Sequence, residues 1–195
     1  MQQKLKDRVT SLKRFVYVAQ ACVKYNNYNT LFEIVAGLNL GPVTRLKKTW
    51  KSLPKKYWDV WNDLNRIVSS ESSYRVYRQS LRTQREKSGS GAILPYLGVN
   101  LSDLTFAEDG NPTYVGAGES KATPEPANQR TINFSKFRLV SSIMQNVLQL
   151  QQGEFDFKVD ERVQHFLRVQ WTSLDDAELY EHSRNVEARV TSTVG

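Results

Sequence analysis

In LKDRVTSLKRFVYVAQACV, residues 5–23, the apolar side chains Leu5, Val9, Leu12, Val16, Ala19 and Val23 fall at alternating steps of four and three. That spacing lines one face of an α-helix, whereas a strand would alternate every second residue. It predicts an amphipathic helix docked on other helices. The stripe opens almost at Met1 with no cap or loop before it, which suggests a chain cut into a larger domain. Tyr25-Asn26-Asn27-Tyr28-Asn29 ends the helix, since asparagine suits turns and caps better than helix interiors.

The same reading continues outward. Leu31, Phe32, Ile34, Val35 and Leu38 predict a second helix ending near Asn39 to Gly41, and Pro42 suits a first helical position. Val43 to Lys51 reads as a short basic helix, broken by Leu53-Pro54. Tyr57, Trp58, Trp61, Leu64, Ile67 and Val68 form another stripe; Ser69 to Ser73 is a polar joint, and Tyr74 to Arg85 a further helix. After the flexible link Ser88-Gly89-Ser90-Gly91, the apolar run Ala92 to Leu101 fits strand or helix, and its continuation to Phe106 favours helix. Residues 110–130, rich in Gly and Pro, predict a mobile loop. Helices are expected at about 133–151, 160–169 and 175–184, with Asp175, Asp176 and Glu178 as a capping cluster. With no repeat and no strand pair, the fold class is all-α, one domain over 1–187 with a frayed tail at 188–195.

Composition narrows the chemistry. A chain of 195 residues with 39% hydrophobic and 24% charged residues can build one good core. Its net charge of +7 favours acidic partners without choosing among protein, lipid and nucleic acid. Cys22 is the sole cysteine, so no internal disulfide is expected. No apolar run is long enough to span a bilayer, and Met1-Gln2-Gln3-Lys4 does not start a signal peptide, so the expected location is cytoplasmic without membrane insertion. There is no phosphate-binding Gly-Lys-Ser/Thr loop. His165 and His182 fall on different predicted helices and read as exposed histidines, Cys22 as a small buried hydrophobe, and no metal or cofactor is expected. Arg45-Leu46-Lys47-Lys48-Thr49-Trp50-Lys51 mixes charge with an aromatic as a nucleic-acid surface would, but reads better as a solvated helix face.

Several segments, in order, resemble the catalytic domain of Ras-type (Son of sevenless-like) guanine-nucleotide exchange factors. They are Asn26-Asn27-Tyr28-Asn29, Leu38-Asn39-Leu40-Gly41-Pro42-Val43, Arg45-Leu46-Lys47-Lys48-Thr49-Trp50 and Pro95-Tyr96-Leu97-Gly98. They continue with Leu101-Ser102-Asp103-Leu104-Thr105-Phe106, Glu108-Asp109-Gly110-Asn111-Pro112, Ile132-Asn133-Phe134-Ser135-Lys136 and Leu179-Tyr180-Glu181. The first part of that domain has no counterpart here, and its loss should expose an apolar face of the first helix. Ser88-Gly89-Ser90-Gly91-Ala92 replaces a commonly Pro-rich approach to Pro95.

The resemblance implies a helical bundle with a protruding antiparallel hairpin, matched by Tyr96 to Asp109 and the helix from Asn133, that pries open a GTPase's nucleotide site. Thr105 matches the wedge beside the metal and Asp109 a carboxylate competing with phosphate, where many relatives carry a larger side chain and Glu. Phe32, Tyr74, Tyr96 and Val99 match a pocket gripping a tyrosine of the GTPase's second switch, with Leu38 and Asn39 on its rim. Without the resemblance, Phe32 and Val99 would read as core; Trp50, Trp58 and Trp61 read as core in either case. Arg45 is open between a structural and an interface role. The implied partner is a Ras- or Rap-type GTPase, on which the chain catalyses nucleotide exchange without covalent chemistry. The alternatives are a helical domain that binds a GTPase without opening it, and a basic nucleic-acid-binding domain.

Overall fold

The computed structural model describes residues 4–88, 91–115, 131–169 and 174–188. Among them the chain is helical: α1 Leu5–Lys24, α2 Tyr28–Asn39, α3 Gly41–Thr44, α4 Lys47–Lys51, α5 Lys55–Val68, α6 Glu71–Ser88, α7 Leu97–Asp109, α8 Phe134–Leu150, α9 Glu161–Val169 and α10 Asp176–Val186. The described residues include no β-strand, only isolated bridges at Asn27–Leu94 and Tyr114–Ile132. The expected link at 89–90, loop residues 116–130 and tail residues 189–195 lie outside the described residues.

The α1 stripe is buried as its period requires, through Val9, Leu12, Val16 and Ala19. With α2 and α5 it forms the centre of the molecule. Trp50 of α4 closes one end against Trp58 and Trp61, with ring centroids 5.4 and 5.3 Å away, and its indole N–H donates to the Val43 carbonyl at 3.0 Å. Cys22 lies in this core, where burial pushes its thiol up, with Glu33 acting in the same direction. Phe15, Tyr17 and Val18 on the outer side of α1 are exposed.

Two sequence expectations change. Val43 to Lys51 is not one helix: the backbone turns out at Leu46, separating α3 from α4. The break frees the first amides of α4, and the Glu187 carboxylate accepts from Lys48 N–H and Thr49 N–H at 3.0 Å each and from the Thr49 hydroxyl at 2.6 Å. Ala92 to Tyr96 is extended rather than helical. Pro95 disfavours helix in the residue before it. Leu94 instead pairs with the α1–α2 corner, donating its N–H to the Asn26 carbonyl and accepting from Tyr28 N–H, both at 2.9 Å.

Asn26, at φ 57°, ends α1 in the left-handed conformation that asparagine tolerates. Asn27 N–H returns to the Cys22 carbonyl at 2.8 Å, while its side chain caps α2 by accepting from Thr30 N–H at 3.0 Å. The expected acidic cluster is a complete capping box: Asp175 accepts from Glu178 N–H at 2.8 Å, and Glu178 accepts from Asp175 N–H at 2.9 Å. Gly41 has no Cβ where the Tyr180 hydroxyl end lies, so α10 seats on α3.

Arg8 joins Glu187 at 3.3 Å and Thr49 at 3.0 Å inside the fold, tying both ends of the described chain to α4. Burial by itself would raise the Glu187 carboxyl, but hydrogen bonds from Thr49, Lys48 and Arg8 together hold it below the ordinary carboxylate range. The ionised form therefore stabilises the fold fully above the unfolded carboxylate pKa, about 4.3, and this contribution fades as pH falls through the lower folded value. Glu187→Ala should cost about 3 kcal/mol at pH 7, because it removes at once the carboxylate that bonds Arg8, the Thr49 hydroxyl and the amides of Lys48 and Thr49. Urea unfolding should show that gap narrowing below about pH 4; an unchanged midpoint at pH 7 contradicts the latch.

Candidate functional site

Phe32 of α2 is the centre of an aromatic cluster. The Tyr96 ring stacks on it at 4.1 Å and 10°, the Tyr77 ring meets it edge-on at 5.2 Å, and Tyr74 lies 6.0 Å away. Tyr28 meets Tyr77 edge-on at 5.4 Å. Gly98 makes the stack possible, because a Cβ there would come within 2.6 Å of the Tyr96 ring. The Tyr77 hydroxyl accepts the Tyr96 amide at 2.8 Å, satisfying an N–H at the head of α7. Burial pushes Tyr77 up to about 12, so it stays a neutral phenol.

The predicted pocket residues Phe32, Tyr74, Tyr96 and Val99 thus share one hydrophobic cluster, with Val99 buried a turn below Tyr96. Phe32 and Val99 are core as well as candidate site. Leu38 is buried near the end of α2, about 9 Å along the axis from Phe32. Asn39 is exposed and donates its side-chain amide to Asn65 at 2.8 Å.

α7 and α8 pack on one another, and their end contacts make them antiparallel. At one end Val99 and Leu150 enter the main core. At the other, Val115 N–H donates to the Thr131 carbonyl at 2.8 Å and Asn133 N–H to the Thr113 carbonyl at 2.9 Å. Asn133 caps α8 by accepting from Lys136 N–H at 3.3 Å. The Lys136 ammonium, 3% exposed, sits between the helices and donates to Glu108 at 2.7 Å and Thr113 at 3.2 Å. Along α7, Thr105 and Asp109 are both exposed and, four residues apart, share a face. The Thr105 hydroxyl turns back to donate to the Leu101 carbonyl at 3.0 Å.

Sequence reasoning missed Tyr77, Arg78 and Lys136. Tyr74, Tyr77 and Arg78 carry the helical signal for one face of α6, but only contact with α2 and α7 gives it meaning. Arg45, left open above, donates to the Ser183 hydroxyl at 3.1 Å and so links α10 to the end of α3. His165 and His182 are exposed, and no described group of side chains could hold a metal ion. No described helix is long and apolar enough to cross a membrane.

Residues 1–138 match the RasGEF domain family. The chain is 35% identical over 184 residues to Ras guanine nucleotide exchange factor M of Dictyostelium discoideum, covering 94% of this chain and 18% of that protein. It is 34% identical over 186 residues to exchange factor Y of the same organism, covering 95% and 11%. Against Ras-specific guanine nucleotide-releasing factor 1 of Rattus norvegicus it is 32% identical over 183 residues, covering 94% and 13%. The chain belongs to the RasGEF domain family and spans under a fifth of the length of these relatives.

The two aromatic contacts should separate in unfolding experiments. Phe32→Ala empties the cluster's centre and should cost about 3–5 kcal/mol. Tyr77→Phe keeps the rings but leaves the Tyr96 amide without its acceptor, at about 1–3 kcal/mol. The reverse order in urea midpoints would mean that the hydrogen bond, not the packing, holds α7's head.

Proposed function

We propose that this chain is a guanine-nucleotide exchange module for a Ras-family GTPase of Ras or Rap type, with the α7–α8 pair as the inserted element. The observation carrying this reading is the antiparallel pair itself, rooted in the core through Val99 and Leu150 and exposing Thr105 and Asp109 on one face of α7. Names of the relatives, exchange and releasing factors for Ras, point to the same activity.

In this reading the aromatic cluster grips a tyrosine of the GTPase's second switch, with Leu38 and Asn39 at its edge. Thr105 occupies space beside the GTPase's metal site, and Asp109 competes with phosphate for the same donors. The chain breaks no bond. Binding the nucleotide-free GTPase more tightly than the loaded one, it weakens nucleotide affinity by the same factor. A thousandfold faster release needs about 4 kcal/mol of differential stabilisation at the release transition state. The module works in the cytoplasm, brought to membranes by partners or by other parts of a longer protein.

Release of a fluorescent GDP analogue from Ras and Rap tests this directly. The native chain should accelerate release, and the Thr105→Ala/Asp109→Ala double variant should lose at least about tenfold of that acceleration, or 1.4 kcal/mol, with its circular dichroism unchanged. A folded native chain that binds either GTPase without accelerating release would instead be a non-catalytic binding module.

A further inference from the structure

We propose that Arg78 is a positioning residue that sets the direction of α7, and so the placement of Thr105 and Asp109, by clamping that helix to the turn that carries Tyr74. The inference rests on the exchange reading above and adds a residue and a device to it.

Each of the three guanidinium nitrogens of Arg78 donates a hydrogen bond. Its Nη1 and Nη2 donate to Oδ2 and Oδ1 of Asp103 on α7, both at 2.8 Å, in a bidentate fork. Its Nε donates to the Ser73 carbonyl at 2.7 Å. Ser73 belongs to a left-handed kink near the start of α6, in which Ser72, Ser73 and Tyr74 have φ of 50°, 55° and 60° before the regular helix begins. Successive left-handed residues are disfavoured for L-amino acids, and a tyrosine there is unusual unless its surroundings hold it. Arg78 supplies one hold from within the helix that follows. The turn in exchange presents Tyr74 to Phe32.

The geometry gives the clamp its purpose. Tyr96 is fixed at the head of α7 by the Phe32 stack and the Tyr77 hydroxyl. Val99 enters the core one turn on, and beyond it α7 packs mainly on its own partner α8, so the pair can still tilt together about this root. Asp103, about 10 Å along the helix from Tyr96, supplies a second point, and two points define an axis. Thr105 and Asp109 lie just beyond it, on the part of α7 where a small change of angle moves a side chain most. Arg78 and Asp103 are 33% and 29% exposed, too wet for the pair to add much to global stability. A planar fork nevertheless fixes orientation in a way that a lysine ammonium cannot.

The experiment measures GDP release from Ras against increasing concentrations of native chain, Arg78→Lys, Arg78→Ala, Asp103→Ala and the Arg78→Ala/Asp103→Ala double variant. Thermal unfolding and amide hydrogen exchange of α7 are followed in parallel. The limiting rate should fall about tenfold or more in Arg78→Lys, Arg78→Ala and Asp103→Ala, while in Asp103→Ala, which leaves the Tyr74 turn and its Arg78 contact in place, the half-saturating concentration should move less than about threefold. The double variant should be no slower than Arg78→Ala, as expected of two residues acting as one unit. Amides of 97–109 should lose protection while those of α1 keep theirs. A folded Arg78→Ala chain within about twofold of the native limiting rate overturns the inference. Should the folded native chain not accelerate release, the exchange reading fails, and the clamp is then judged on amide exchange: selective loss of protection in α7 supports it, and unchanged protection refutes it.

Discussion

The stack of Tyr96 on Phe32 is the contact on which the placement of the α7–α8 pair depends. Rings 4.1 Å apart and nearly parallel leave little freedom to the residue that heads α7. Three features of the chain make the stack possible. Leu94 pairs its backbone with the α1–α2 corner, Gly98 leaves room for the ring, and the Tyr77 hydroxyl takes up the Tyr96 amide. Each lies on a different segment, so α7 has its place only when α1, α2 and α6 are assembled.

Charged side chains act as fasteners in three settings. Arg8 and Glu187 are buried, and the surrounding hydrogen bonds offset the cost of removing both charges from water. Lys136 is buried between α7 and α8 while its partner Glu108 stays 65% exposed, so the carboxylate keeps most of its hydration. Arg78 and Asp103 are half-buried, where the fork contributes direction more than energy. The net charge of +7 predicts none of these roles, because each depends on where a single charge is placed.

The apolar period alone was enough to read α1, α2 and α5, since a stripe at helical spacing has to be covered by something and other helices cover it best. Capping at Asn27 and Asp175 was equally local, because a cap is made within four residues of chain. The apolar pattern failed at two segments. The Val43 to Lys51 segment splits at Leu46, and the amides of Lys48 and Thr49 that the break frees find their acceptor in Glu187, far away in sequence. Ala92 to Tyr96 is extended through a local signal, Pro95, that the apolar run masked, together with backbone partners for Leu94 at Asn26 and Tyr28.

The candidate site divides along the same line. Phe32, Tyr74, Tyr96 and Val99 could be named from motif resemblance, and the bare pattern read Phe32 and Val99 as core, where the structure places them. By itself the sequence determined the helical class and most helix limits, since those follow from short-range spacing and capping. Only the tertiary structure decided that Tyr77, Arg78 and Lys136 matter, because a hydroxyl, a guanidinium and an ammonium acquire their function from partners that folding brings within about 3 Å.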